Sequence, residues 1–432
     1  MNYAYLYLIA ILLIMSLYLR RYYRRHQDDI ATLEEAVQSG LAEPPSLHPV
    51  INSSHCSCIG SGACAAACPE EAIGVINGKM TLKNAAACIG HGACLAACPV
   101  DAITLVFGTE NRGIDIPNIS PDFETNVPGI FIAGELGGMG LIRKAAQQGR
   151  EAMAAIRKKL GKHSADYDVV IVGCGPAGLS AGLSAIHHKL RYKLIEQEDS
   201  LGGAVYHYPR QKIAMTAPFE LDLVGKVKFS EVQKEKLIDF WTDIVKKTGL
   251  KISFRERMES IEKDNGRFAV TTNRGSYTAR TVLLAMGRRG TPRKLEVPGE
   301  ESAKVTYRLI DPAQYRGQAV LVVGGGDSAL EAAIALSQEQ GTDVILSYRS
   351  AAFSRVKQKN RLLLEQQQKA GRIRVLLNSN VRSIDDKLVV IETDGIPQRY
   401  RNDAVIVCAG GLLPTPLLQK IGIQFDTKFG SA

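Results

Sequence analysis

Cysteine is nearly absent from this 432-residue chain outside one short stretch. Seven of the nine cysteines fall between Cys56 and Cys98, and only Cys174 and Cys408 lie elsewhere. That distribution excludes a disulfide framework running through the fold. It points to metal ligation in a reducing compartment. A strong charge of one sign is also lacking. The net charge of +9 is mild for the length, and part of it is one block of Arg20, Arg21, Arg24 and Arg25. Nucleic acid is therefore not among the expected partners. Compositional bias is missing too. With 45% apolar and 22% charged residues, the chain suits a globular α/β protein of two or three domains rather than a disordered one.

Charge is wholly missing from Tyr3 to Leu19, a run of mostly Leu, Ile, Ala and Tyr. As a helix it would rise roughly 25 Å, a little short of a hydrocarbon core of about 30 Å. Tyrosines and the arginines that follow can make up the shortfall at the interface. A signal peptide would carry its positive charge before the apolar run, not after it. The expectation is an uncleaved, single-pass transmembrane helix over 3–19, with the remaining domains on the cytoplasmic side. Residues 20–54 read as a linker. A short helical stretch from Asp29 to Gln38 is stopped by Glu43-Pro44-Pro45-Ser46.

Two cysteine runs follow, each ending in Cys-Pro. The first holds Cys58, Cys64 and Cys68-Pro69; the second holds Cys88, Cys94 and Cys98-Pro99. Both continue into an acidic residue, Ala and Ile (Glu71-Ala72-Ile73 and Asp101-Ala102-Ile103), so residues 55–106 form a twofold repeat. This stretch resembles the bacterial dicluster ferredoxins, with the second cysteine of each run missing: Ser61 and His91 stand in the gaps. The resemblance implies one iron–sulfur cluster on Cys58, Cys64 and Cys98 and another on Cys88, Cys94 and Cys68. Such clusters move single electrons. Each set is one thiolate short. Three-iron clusters, [3Fe-4S], would need no more. Four-iron clusters, [4Fe-4S], would need completion by Cys56 or Ser61 in one case and His91 in the other. A fold that has kept its shape without metal is the third alternative.

From Asp168 a strand leads into Gly173-Cys174-Gly175-Pro176-Ala177-Gly178 and a small-residue helix, and Glu196 closes the next strand. Strand, glycine turn, helix and acidic residue together form a dinucleotide-binding fingerprint, with the acid placed for ribose hydroxyls. A second fingerprint reads Gly324-Gly325-Gly326-Asp327-Ser328-Ala329. Its following strand ends in Arg349, with Arg355 close behind, and positive charge there suits the 2′-phosphate of NADPH. Two nested fingerprints resemble the thioredoxin-reductase branch of two-dinucleotide-domain flavoproteins over residues 166–432. Leu201-Gly202-Gly203 with Tyr206 and Tyr208-Pro209, Leu284-Ala285-Met286-Gly287, and the stretch Asp403 to Pro414 match other pieces of that family. The resemblance implies an FAD domain (166–298), an NAD(P) domain (299–402) and a return to the FAD domain (403–432).

That family ends with a strand, a Gly-Asp pair and a helix facing the flavin. Here the counterpart stands near the front, as Thr125 to Gly134-Glu135 and a helix from about Gly140 to Lys159. Residues 107–160 therefore read as the last segment of a circularly permuted FAD domain, rejoined to the first strand by a short αβ loop. The expected fold is α/β: two Rossmann-like domains, a small α+β dicluster ferredoxin domain and the N-terminal helix.

The dithiol that thioredoxin reductases carry before the second fingerprint is missing as well, since Val305 to Asp311 holds no cysteine. In this the chain resembles the ferredoxin–NADP reductases and bacillithiol-disulfide reductases of the same branch. The expected function is an NAD(P)H-dependent oxidoreductase carrying electrons between NADPH, FAD, the clusters and a redox partner protein or membrane quinone, in either direction. No catalytic side chain is assigned, because the cofactors carry the chemistry. Two alternatives stay open. One is reduction of a low-molecular-weight disulfide or other small molecule at the flavin face, where His207 and Tyr208 either supply a proton or serve packing. The other is a membrane-tethered redox sensor or assembly subunit. A homodimer is compatible with either.

Overall fold

A computed structural model of the chain describes all residues except 1–2, 39–42, 45–46, 53, 57–61, 89, 91, 111–112, 139, 161–163, 209, 211, 265, 289, 354–355, 357 and 431–432. Two compact units emerge. One is Met1–Ile114 with Ser354–Gln358 and Lys428–Ala432; the other is Asp115–Phe353 with Lys359–Thr427.

The first unit opens with helix α1, Tyr3–Gln38. Residues 20–38, expected as linker, continue this same helix. Ile9, Leu13, Ile14, Leu17 and Tyr18 are all exposed. Among the described residues no helix is long and apolar enough to cross a membrane, so the transmembrane span expected over 3–19 is not found. The uncharged stretch ends where Arg20 and Arg21 enter the helix, and the helix then carries charge to its end.

The charged half of α1 docks on the ferredoxin-like module. That module has strands β1 (His48–Ile51), β2 (Ile73–Ile76), β3 (Lys79–Leu82) and β4 (Ile103–Val106). β1 pairs antiparallel with β4, and β2 with β3. One-turn helices α2 (Ala63–Ala66) and α3 (Ala93–Ala96) follow glycines in the left-handed region, Gly62 and Gly92. This placement repeats the twofold pattern of the sequence. Asp29 of α1, 3% exposed, accepts the Val75 N–H at 3.1 Å and meets Lys83 Nζ at 2.5 Å. His26 Nδ1 lies 3.0 Å from the Val75 carbonyl oxygen. Gly74 leaves the room: a Cβ there would lie 2.5 Å from the Asp29 carboxylate.

In the second unit, β5 (Ile130–Ile132) is followed by α4 (Ile142–Lys159), β6 (Tyr167–Val172), α5 (Pro176–His187), β7 (Tyr192–Ile195) and α6 (Lys234–Thr248). Then come β8 (Met258–Asp264), β9 (Arg267–Thr272) and β10 (Gly275–Leu284). β10 lies parallel to β5 on one side and to β6 on the other, and β6 pairs with β7. β8 and β9 extend the sheet antiparallel from the start of β10. The middle strands are apolar throughout because both faces are covered. Helices α4, α5 and α6 pack on one face, around Phe131, Met153, Ile171 and Leu183. Ile130, Val170 and Val282 face the other core with Phe268 and Leu418.

A second parallel sheet holds β11 (Val305–Thr306), β12 (Ala319–Val323), β13 (Asp343–Ser347), β14 (Ile373–Leu376) and β15 (Ala404–Val407), in the spatial order β11-β15-β12-β13-β14. Helix α7 (Asp327–Ser337) follows β12, and α8 (Gln358–Lys369) follows β13.

Asp29→Ala would strand the Lys83 ammonium and one backbone N–H in a half-closed site. A loss of about 3 kcal/mol from the ferredoxin-like module is expected. Faster amide hydrogen exchange at Val75 and a lower urea midpoint, with β6 and β10 unchanged, would check it.

Candidate functional site

The first glycine turn is built by backbone contact. Gly173 has φ +102°, and a Cβ on it would lie 2.6 Å from the Ala285 carbonyl oxygen. A Cβ on Gly178 would fall 1.8 Å from the Gly173 oxygen, and one on Gly134 (φ +83°) 3.0 Å from Ala177 Cβ. Gly203 meets Gly175 in the same way, at 3.1 Å to its Cα, and Gly202 donates its N–H to Cys174 O. So Gly134, Gly173, Gly175, Ala177, Gly178, Gly202, Gly203 and Ala285 gather at the C-terminal ends of β5, β6 and β10. Nothing lies within 3.9 Å of the Cβ that Gly175 lacks, and nothing within 4 Å for Gly287. Open space beside a glycine at the uncapped start of α5 fits the pyrophosphate of a dinucleotide.

Glu196 is 6% exposed. Its Oε2 accepts the Cys174 N–H at 2.6 Å and its Oε1 the Glu198 N–H at 3.0 Å. Burial pushes its carboxyl above the usual range against those two bonds. The carboxylate braces the loop and keeps further lone pairs for a ribose. Glu135 is half-buried in the short turn after Gly134, beside Gly140. Two residues of α4 carry no fingerprint signal. Gln148 accepts the Gly134 N–H at 2.8 Å, and Gly149 lets α4 touch α5, since its Cβ would lie 2.1 Å from Ala177 O. A glycine inside a helix of otherwise good helix formers was the available clue. Burial holds the Cys174 thiol neutral and pushes Cys408 up to about 12.

The second turn repeats the device. A Cβ on Gly324 would lie 2.4 Å from Cys408 O, while Gly326 has open space and caps α7. Asp327 receives the Asn360 side-chain N–H at 2.7 Å, Ser328 is exposed and Ala329 buried. Tyr348 lies across Gly325 and stacks on Phe353, with centroids 5.4 Å apart. Arg349 is exposed and pairs with no described residue. Arg355 lies outside the described residues. Ion pairs join the flavin-side segment to this domain: Lys212–Glu331 at 3.1 Å and Arg210–Asp311 at 3.2 Å. His207 Nε2 stands 3.9 Å from Glu198, and Tyr208 packs against the core with Lys212 over its ring.

Among the ferredoxin-like residues, Cys58 and His91 lie outside the described set. Cys68, Cys88 and Cys94 line one small, partly open cavity of about 20 Å³ with Glu70, Ile73 and Leu105. Burial pushes the Cys88 and Cys94 thiols up, Cys94 to about 11, helped by the charge of Cys68 and Glu70 at Cys88 and of Cys88 and Cys68 at Cys94. Cys56, Cys64, Cys94 and Cys98 share an apolar cluster with Ile73, Met80 and Ile103. Among the described residues no three His, Cys, Asp or Glu side chains close on a single metal ion. Thiols set around a cavity and an apolar wall suit a larger, soft-ligand body such as an iron–sulfur cluster.

The profile of the pyridine nucleotide-disulphide oxidoreductases matches residues 170–430, and that of the 4Fe-4S dicluster domain matches 48–99. The chain belongs to the pyridine nucleotide-disulphide oxidoreductase family. It is an oxidoreductase of the NAD(P)H-dependent flavoprotein type with an added iron–sulfur domain. The ferredoxin–NADP reductase of Streptococcus pneumoniae (strain D39) is 32% identical over 182 residues, 41% of this chain and 53% of that protein. That of Thermus thermophilus is 31% identical over 229 residues, 51% of this chain and 65% of that protein. The chain thus spans about half to two thirds of these relatives. The bacillithiol disulfide reductase of Staphylococcus aureus superposes with a TM-score of 0.51 at 26% identity, covering 60% of this chain and 80% of that one.

Gly178→Ala forces a carbon onto the Gly173 carbonyl oxygen. The purified variant is expected to lose most of its yellow flavin absorbance while retaining its iron, and absorbance at equal protein concentration reads the outcome.

Proposed function

We propose that this protein carries electrons between NADPH and a separate redox carrier, with FAD on the first fingerprint, NADPH on the second and two iron–sulfur clusters on the cysteine runs. The observation that carries this reading is a flavin fold with no dithiol beside it joined to a dicluster module. Cys174 and Cys408 are both free and belong to different domains, and among the described residues neither has a partner thiol for a disulfide relay. When bound, FAD would supply hydride acceptance and the clusters one-electron carriage. The protein's own part is placement. The turn at Gly173 to Gly178 and the start of α5 hold the flavin dinucleotide. Gly134, fixed by Gln148, brings the end of β5 to the same place. Gly326 and the start of α7 receive the second dinucleotide.

Arg349, exposed and pairing with no described residue, supports NADPH over NADH. The exposed apolar half of α1, followed by Arg20, Arg21, Arg24 and Arg25, supports a carrier met at the cytoplasmic face of a membrane, a quinone or a protein. Co-sedimentation with anionic vesicles that survives removal of residues 1–23 would rule out that placement. The segment 107–160 is read as the displaced end of the FAD domain because β5 pairs with β10 and α4 packs on α5.

A second reading, reduction of a low-molecular-weight disulfide at the flavin face, draws on the likeness to the staphylococcal bacillithiol disulfide reductase. Stopped assays of the anaerobically loaded protein separate the two. Electron carriage expects NADPH oxidation with a one-electron dye and none with a disulfide alone. Disulfide turnover without dye would overturn it, and no oxidation in either assay would favour a sensor or assembly role.

Arg349→Ala is expected to raise KM for NADPH roughly 10- to 100-fold, the value of one charge-assisted contact of about 1.5–3 kcal/mol. KM for NADH should stay unchanged. Equal effects on both nucleotides would show that Arg349 does not meet the 2′-phosphate.

A further inference from the structure

The second dinucleotide turn carries a conflict of charge. Asp327 opens α7, and Glu331 stands one turn further on. Residues so spaced share a helix face, where two like charges repel. Gly326 caps α7 without a side-chain bond and leaves open space beside it. A carboxylate in the first turn of a helix is drawn to the free N–H groups there. Asp327 left to itself would therefore compete, as an anion built into the chain, with the phosphates that such a turn receives. Asn360 of α8 removes the conflict. It is 8% exposed, and its side-chain amide donates to Asp327 Oδ1 at 2.7 Å and to Glu331 Oε1 at 3.3 Å. Both hydrogens of one NH₂ group are thus directed at the two carboxylates. Lys212 Nζ meets the other Glu331 oxygen at 3.1 Å. Further along, Ser337 Oγ reaches Gln367 Oε1 at 3.5 Å, so α8 is tied to α7 at both ends.

We propose that Asn360 is a positioning residue of the second nucleotide site: by holding the Asp327 carboxylate toward α8, it keeps the first N–H groups of α7 open for the nucleotide's pyrophosphate. The inference rests on the reading that the second fingerprint binds NADPH. Asn360 itself needs no bond to the nucleotide. A neutral amide suits this task, because a cation in its place would draw phosphate toward itself. The fingerprint is therefore not the whole site. A residue 33 positions beyond Asp327 settles the charge that the fingerprint leaves unresolved.

The full chain, loaded with FAD, is titrated with NADP⁺ in a calorimeter. Asn360→Leu keeps the side chain's volume and removes both donors. At low ionic strength it is expected to raise the Kd for NADP⁺ roughly tenfold, the scale of one hydrogen bond to a charged group. Adding Asp327→Asn, which removes the competing charge, should bring the Kd most of the way back. The gap between Asn360→Leu and wild type should narrow from about 0.01 M to about 1 M salt, as the screening length falls from about 30 Å to about 3 Å. Asn360→Asp, nearly the same shape with a third carboxylate, serves if the apolar variant fails to fold. In mildly alkaline buffer it is expected to weaken binding at least as much. An unchanged Kd in either folded variant would overturn the proposal. So would a loss that neither Asp327→Asn nor salt relieves, which would show Asn360 acting by packing or on the nucleotide directly. Wild type that binds no NADP⁺ would instead defeat the underlying nucleotide reading.

Discussion

The nucleotide-binding half of this molecule depends on backbone touching backbone. Both parallel sheets use the same contact. The first glycine after the opening strand lies against a carbonyl at the end of the returning strand: Gly173 against Ala285, and Gly324 against Cys408. A single added carbon at either point has nowhere to go. The contact draws strand ends and a helix start into one small region, where free N–H groups and open space coincide. Gly149 extends the principle to the helix layer. It lets α4 lie on the first turn of α5 and so carries Gln148 to the Gly134 amide. Binding surfaces of this sort are made less by what side chains offer than by the side chains that are missing.

The ferredoxin-like unit is held by other means. Apart from α1, its described α-helices are one turn long and its strands four residues each, too little to bury a large core. Cysteines supply much of the apolar interior instead, and burial pushes the Cys88 and Cys94 thiols up, which favours their neutral form. The Asp29–Lys83 pair adds a polar clamp between α1 and the β2–β3 hairpin. A buried pair of this kind fixes one docking geometry more than it adds net stability.

What could be read from the sequence were the features that residue identity alone enforces. Glycines with positive φ, Cys-Pro repeats and the strand-turn-helix order appear as letters at fixed spacing. The fold class, both dinucleotide turns and the dicluster module were legible for that reason. The continuous helix α1 was not, because a charged segment after an apolar one resembles a linker unless its docking partner is known. Asp29 meets its partner Lys83 across 54 positions, and such a distant pair leaves no local trace. Gln148 was hidden similarly, since a glutamine that serves one distant amide looks like any surface glutamine. For Glu196 the letter was informative but incomplete, since nothing in the spacing foretold that both its oxygens would first be engaged by backbone amides.

The placement of β5 has a consequence for synthesis. Ile130, Phe131 and Ile132 find their ladder partners only at Val282 to Leu284, about 150 residues later. At ribosomal speeds of roughly 5–20 residues per second, that leaves a bare, sticky ribbon waiting for on the order of ten seconds. The nascent polypeptide must shelter it meanwhile, whether by a transient collapse onto α4 and α5 or in the grip of a chaperone. A strand made so far ahead of its ladder partner thereby shifts a burden from the finished protein to its birth.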